Sequence, residues 1–128
     1  MNYMLIVTGP PYGTENSSTA LLFSRALINY GHKLNSVFFY FNGVLNASEM
    51  ISPADDEFNL VQAWQELSYH FKIKLHVCIS AAYRRGIIGD SQALKIGINK
   101  GNLAHGFILI GLNELSEYFQ TCDRIIQF

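Results

Sequence analysis

Charge is what this chain has least of. Asp, Glu, Lys and Arg make up 15% of its 128 residues, and the net charge is −1, against about 25% charged residues in an average soluble domain. Without a basic surplus there is no general electrostatic footprint for nucleic acid, so direct binding of a polynucleotide is not expected. Long apolar runs are missing as well. Nothing approaches the roughly 20 residues that cross a bilayer, so no membrane association is expected. Tyr3–Val7 lacks a basic start and is too short for a secretory leader. Two cysteines, Cys78 and Cys122, do not make a disulfide framework, and the reading is a cytoplasmic protein with reduced thiols. Metal-ligand spacing is thin: His76 lies two residues from Cys78 with no second pair nearby, and His32, His70 and His105 are scattered. No metal or other cofactor is expected.

What the chain has in quantity is hydrophobic residues, 49% of the total. At this length it can bury a real core as one domain spanning residues 1–128, without disulfides or metal. So sparse a charged surface predicts a large apolar patch meant for other protein, and hence an obligate oligomer, because permanent interfaces resemble a core cut in half.

Strand and helix signals alternate along the chain. Tyr3–Val7 is a continuous apolar run that stops at the turn-rich Thr8–Gly13 loop, where Pro10 and Pro11 exclude a central strand. Asn16 and Ser17 are candidate caps for a helix with Ala20, Phe23, Leu27 and Tyr30 on one face and Gly31 as its stop. A second strand covers Lys33–Tyr40, and its loop begins at Phe41-Asn42-Gly43. Asp55, Asp56 and Glu57 are expected at the head of the next helix, stabilised by its dipole rather than acting as catalytic carboxylates. That helix carries Leu60, Trp64, Leu67 and Phe71 on its apolar face. Lys74–Cys78 is the third strand, followed by a short helix ending at Gly86. Another helix opens at Asp90 and includes Leu94 and Ile98, and a link runs from Gly97 to Gly106. Phe107–Ile110 is the fourth strand, Leu112, Leu115 and Phe119 mark the last helix, and Arg124–Phe128 is the final strand.

This alternation predicts an α/β fold of three layers, with a mainly parallel five-stranded sheet between helices. Ligands of such sheets sit beyond the carboxyl ends of the strands. Thr8–Thr14, Tyr40–Val44 and Cys78–Ser80 all follow strands and should gather there.

Cys78 is the residue with the most chemistry in that group. A thiol where a strand hands over to a helix is close to unpaired backbone N–H groups, and these favour thiolate, the form that attacks sulfur. The competing reading is plain core packing, since free cysteine is among the most buried residue types. Arg84 and Arg85 are the nearest cations in sequence, placed either to compensate the end of the short helix or to reach back toward the thiolate. Cys122 reads as a packed thiol. The Thr8–Thr14 loop has glycines and hydroxyls but neither the lysine of a P-loop nor a dinucleotide fingerprint. It leaves open a flavodoxin-like small-molecule or mononucleotide binder, with Tyr12 and Tyr40 as stacking faces. A non-catalytic subunit that only completes an assembly is a third reading.

Five stretches in order carry a resemblance over the whole chain. They are Val7-Thr8-Gly9-Pro10 with Tyr12-Gly13-Thr14; Ser36-Val37-Phe38-Phe39-Tyr40 with Gly43-Val44 and Asn46-Ala47; Ser52-Pro53-Ala54 with Asp56-Glu57-Phe58; Cys78 with Arg84-Arg85-Gly86; and Thr121-Cys122-Asp123-Arg124 with Gln127-Phe128. With these the chain resembles the DsrE-like family of sulfur-relay proteins. The resemblance implies a sulfurtransferase whose Cys78 receives sulfur as a persulfide from a TusA-like carrier and passes it to a TusE-like carrier. The sulfur is destined for 2-thiouridine at the wobble position of tRNA. It also implies a hetero-hexamer with TusB- and TusC-like subunits. Tyr12, Gly13, Tyr40, Gly43, Ser80, Arg84 and Arg85 are the expected surroundings of the thiol.

Overall fold

The computed structural model describes residues 1–128. In chain order it forms β1 (Asn2–Val7), α1 (Asn16–Asn29), β2 (Lys33–Phe39), a short 3-10 segment (Phe41–Ala47), α2 (Leu60–Phe71), β3 (Lys74–Cys78), α3 (Ile79–Arg84), α4 (Asp90–Lys95), β4 (Phe107–Ile110), α5 (Leu112–Phe119) and β5 (Arg124–Gln127). The five strands pair in the order β4-β3-β2-β1-β5, and every pairing is parallel. No helix is long and apolar enough to cross a membrane.

The strand order explains the layers. From β1 to β4 the chain steps one way across the sheet, and the last crossover returns past β1 to β5, so right-handed connections put α5 on the face opposite α1 and α2. Alternation of side chains along the strands agrees. Phe39 meets Trp64 of α2 with ring centroids 5.3 Å apart, while His76, which is in register with Phe38, lies 4.5 Å from the Tyr118 ring of α5. β2 is covered on both sides, which is why Val37, Phe38 and Phe39 read as an unbroken apolar run and are all buried.

Several boundaries differ from expectation for identifiable reasons. The α1 cap is Glu15, not Asn16 or Ser17, because Ser17 turns inward and its hydroxyl is used in the core. The acids Asp55, Asp56 and Glu57 do not open α2. Its cap is Asn59, whose side chain accepts from Gln62 N at 3.0 Å, while Glu57 accepts from Ala54 N at 2.9 Å in the preceding turn. Phe71 ends α2 exposed instead of extending its apolar face. α4 stops at Lys95, short of Ile98, because Gly97 adopts φ +84°. The bonds Gly97 N to Leu94 O and Ile98 N to Ala93 O then close the helix end and leave Leu94 and Ile98 exposed. The stretch after Tyr40, expected as loop, winds into the 3-10 segment.

Candidate functional site

The loops that follow β1, β2 and β3 do meet at the carboxyl edge, and backbone geometry fixes how. Tyr40 N donates to Val7 O at 2.9 Å, and Gly43 N to Tyr40 O at 2.8 Å. A Cβ on Gly43 would stand 2.0 Å from Val7 O, so only glycine lets the 3-10 segment approach the end of β1 this closely. Asn46 secures the rest. Its amide donates to Gly43 O at 2.8 Å and Gly9 O at 3.2 Å, and its carbonyl accepts the Ser17 hydroxyl at 2.8 Å. Ser17 in turn accepts from Trp64 Nε1 at 3.4 Å. This buried network ties the β1 loop, the 3-10 segment, α1 and α2 into one body.

Cys78 is the last residue of β3 and the cap residue of α3, with extended backbone at φ −63° and ψ 117°. The strand-to-helix placement read from the sequence is therefore what the fold contains. Of the two readings of the thiol, the packed one describes its surroundings. Cys78 is 3% exposed and packs in the hydrophobic core, and its side chain makes no capping hydrogen bond to α3. By strand alternation its side chain lies on the sheet face that His76 shares, the face over which α5 packs. α3 presses Ala81 and Ala82, both fully buried, onto the sheet edge, and the 3-10 segment packs against both α3 and β3. The larger clefts lie elsewhere: between α1 and α2, between α1 and Phe58, beside the Ile51–Asn59 stretch, and beside Met50 and Lys100.

The other expected residues divide. Ser80 and Arg84 are exposed near the thiol-bearing turn, and Arg84 makes no hydrogen bond or ion pair. Arg85 does not attend the sulfur: its Nε donates to Asn42 Oδ1 at 2.9 Å and Nη1 to Ala81 O at 3.1 Å. Tyr12 is not an open stacking face but a tie, its hydroxyl donating to Phe58 O at 2.7 Å and accepting from Leu60 N at 3.3 Å. Tyr40 stacks on Phe41 at 4.3 Å, which occupies the ring face a ligand would use. Gly13 holds φ +97° at an exposed turn. Phe41 and Asn42 lie in the loop expected at this edge; the bonds made by Asn42 and Asn46 were not anticipated. Phe41 is half exposed with φ +48°, a left-handed backbone that only the surrounding packing can hold.

Two further groups matter to the chemistry. His76 shares a strand face with Cys78 and is buried with Nδ1 unpartnered. Burial, reinforced by the charge of Lys74, holds its pKa below the usual histidine value and keeps the ring neutral. Cys122 is half-buried, its thiol donating to Phe119 O at 3.5 Å. Burial pushes that thiol's pKa up, its backbone hydrogen bond works the other way, and the Asp123 carboxylate adds to the rise.

Residues 1–128 match the model of the DsrE/DsrF-like family. Sulfurtransferase TusD of Buchnera aphidicola subsp. Acyrthosiphon pisum (strain APS) is 57% identical over 128 residues, covering 100% of both chains. Sulfurtransferase TusD of Pectobacterium carotovorum subsp. carotovorum (strain PC1) is 52% identical, covering 100% of this chain and 99% of that one. The crystal structure of the ychN protein from E. coli shares the fold, with a TM-score of 0.75 at 22% identity and full coverage of both chains.

Proposed function

This chain belongs to the DsrE/DsrF-like family, and we propose that it is a sulfurtransferase that carries sulfur as a persulfide on Cys78. The observation that supports this most is the position of Cys78 at the junction of β3 and α3, on the sheet edge where the loops after β1 and β2 converge. Full-length relatives that bear the name sulfurtransferase support the reaction class.

The chemistry is two displacements at sulfur. The Cys78 thiolate attacks the outer sulfur of a donor persulfide; the donor S–S bond breaks, a new one forms to Cys78, and the donor leaves as thiolate. An acceptor thiolate then attacks the outer sulfur now on Cys78, and Cys78 leaves as thiolate. Neither step needs an oxidant, a reductant or a metal. Backbone N–H groups at the start of α3 are the nearest help for the anionic sulfur once it is uncovered. Because the thiol is buried in the isolated chain, transfer requires a local opening that uncovers it.

Donor and acceptor are TusA-like and TusE-like carrier proteins in this reading, TusB- and TusC-like subunits complete a hetero-hexamer, and the work is done in the cytoplasm for 2-thiolation of wobble uridine in tRNA. Exposed Leu94, Ile96, Ile98 and Met50 are apolar surface of the kind permanent partners cover. Intact-protein mass spectrometry after incubation with a persulfidated donor tests the central assignment. One added sulfur in the wild type and in Cys122→Ser, and none in Cys78→Ser, is the expected result. Sulfur retained by Cys78→Ser would overturn it.

A further inference from the structure

Charge on this chain is not only sparse but sorted. Residues 84–100 hold four of the nine Lys and Arg residues, Arg84, Arg85, Lys95 and Lys100, with one acid, Asp90; the rest of the chain has five cations against nine acids. Beside these cations Met50, Leu94, Ile96 and Ile98 stand exposed. The backbone beneath them is tied down. Gly101 N donates to Asp90 Oδ1 at 2.8 Å, and the Asn102 side chain accepts from Ile88 N at 2.9 Å and donates to Gly86 O at 2.8 Å, while Asn102 O accepts from Glu49 N at 2.8 Å. A surface fixed in advance loses little order on binding. The matching acids lie a short way off: Asp55 and Asp56 are exposed in the turn before α2 and form no ion pair, and of this acidic turn only Glu57 is engaged, by Ala54 N. The clefts on this side adjoin one another. Asp55 and Ile51 line one, Ile51 and Glu49 the next, and Glu49, Met50, Ile98 and Lys100 the third. Together they make one belt, acidic at one end, basic and apolar at the other.

We propose that this belt is a docking surface for a second copy of the chain, laid antiparallel, so that the Asp55–Asp56 turn of each copy meets Lys95 and Lys100 of the other. A two-fold contact needs a patch that is its own complement, and a belt of opposite charge at its two ends becomes one when turned end for end. Met50 and Ile98 supply the apolar middle. Glu49 is the one adverse charge at the basic end, but its pair with Lys100 is long, 3.9 Å, and exposed, so an incoming carboxylate competes with it. A polynucleotide fits the belt less well, because aliphatic side chains offer no stacking face and Asp55, Asp56 and Glu49 repel phosphate. The inference is independent of Cys78 and its chemistry.

Sedimentation velocity of the full chain at micromolar concentration tests it. A dimer is expected at about 50 mM salt and weaker association at about 500 mM, where exposed charges are screened. Lys95→Glu with Lys100→Glu in one variant, and Asp55→Lys with Asp56→Lys in another, should each weaken dimerisation about tenfold or more, since two-fold symmetry makes every reversal act twice. Mixing the two variants should restore the dimer: the acidic turn of the first then meets the unaltered lysines of the second, and the lysine turn of the second meets the glutamates of the first. All four positions are exposed, so circular dichroism should show both variants folded like the wild type. A wild type that stays monomeric at both salt concentrations would overturn the proposal. So would variants that dimerise as the wild type does, or a mixture that stays monomeric. A monomer that binds labelled RNA through Lys95 and Lys100 would overturn it as well, assigning the basic end to nucleic acid.

Discussion

α2 and α3 both cover the sheet, and they do it with opposite means. α2 seats Leu60, Val61, Ala63, Trp64 and Leu67 in the core and is capped by Asn59 at one end and left-handed Lys72 at the other. α3 has only Ala81 and Ala82 buried and depends on Arg85 to reach its neighbour. The first is a structural wall and the second a short, lightly anchored helix that starts at the thiol-bearing residue. The difference teaches why a buried Cys78 is compatible with transfer: local opening is cheapest where little apolar surface is lost.

The comparison can be broken most forcefully at Trp64. Trp64→Ala empties the centre of α2 and removes the donor to Ser17, and should cost about 3–5 kcal/mol in chemical denaturation. A loss below about 1 kcal/mol would mean that α2 is no firmer than α3. Asn46→Ala should come next, at about 2–3 kcal/mol, since it leaves the buried Ser17 hydroxyl and two carbonyls with a lost partner. Near-wild-type stability would contradict the view that this network fixes the 3-10 segment. Ala81→Gly sharpens the contrast from α3: about 1–2 kcal/mol in global stability, for helix propensity and the buried methyl together, yet a larger gain in Cys78 alkylation than that loss alone gives, because α3 starts at the thiol-bearing residue. Equal effects on both would join α3 to the global core.

His76 gives the smallest effect and a defined sign. Its native pKa is depressed, so below the unfolded value of about 6.5 the unfolded chain binds a proton that the native chain refuses. Its contribution is therefore complete above about pH 6.5 and declines as pH falls toward the lower native value. Denaturation midpoints measured through that range should show a stability slope that His76→Phe flattens; an unaltered slope would assign it to other groups.

The parallel sheet, its layers and the Cys78 junction were legible in sequence, because continuous apolar runs and turn residues follow directly from burial on both faces. Less was legible at the site. Nothing local in Asn42 or Asn46 distinguishes a bridging amide from a surface one, and their partners Arg85 and Ser17 lie 43 and 29 residues away in the chain. Tyr12 and Tyr40 looked available because composition does not reveal that Phe58, Leu60 and Phe41 already engage them. Burial of Cys78 was one of the readings the sequence left open, because a thiol at a strand end packs in a core as readily as it reacts.

The account stands most directly on how Cys78 is reached. Its alkylation rate, followed at low denaturant concentrations, distinguishes a local opening from unfolding of the whole chain. A rate nearly flat in denaturant, and far above that permitted by global unfolding, is predicted for local opening. A rate that climbs from the first addition of denaturant with the full slope of global unfolding would contradict it.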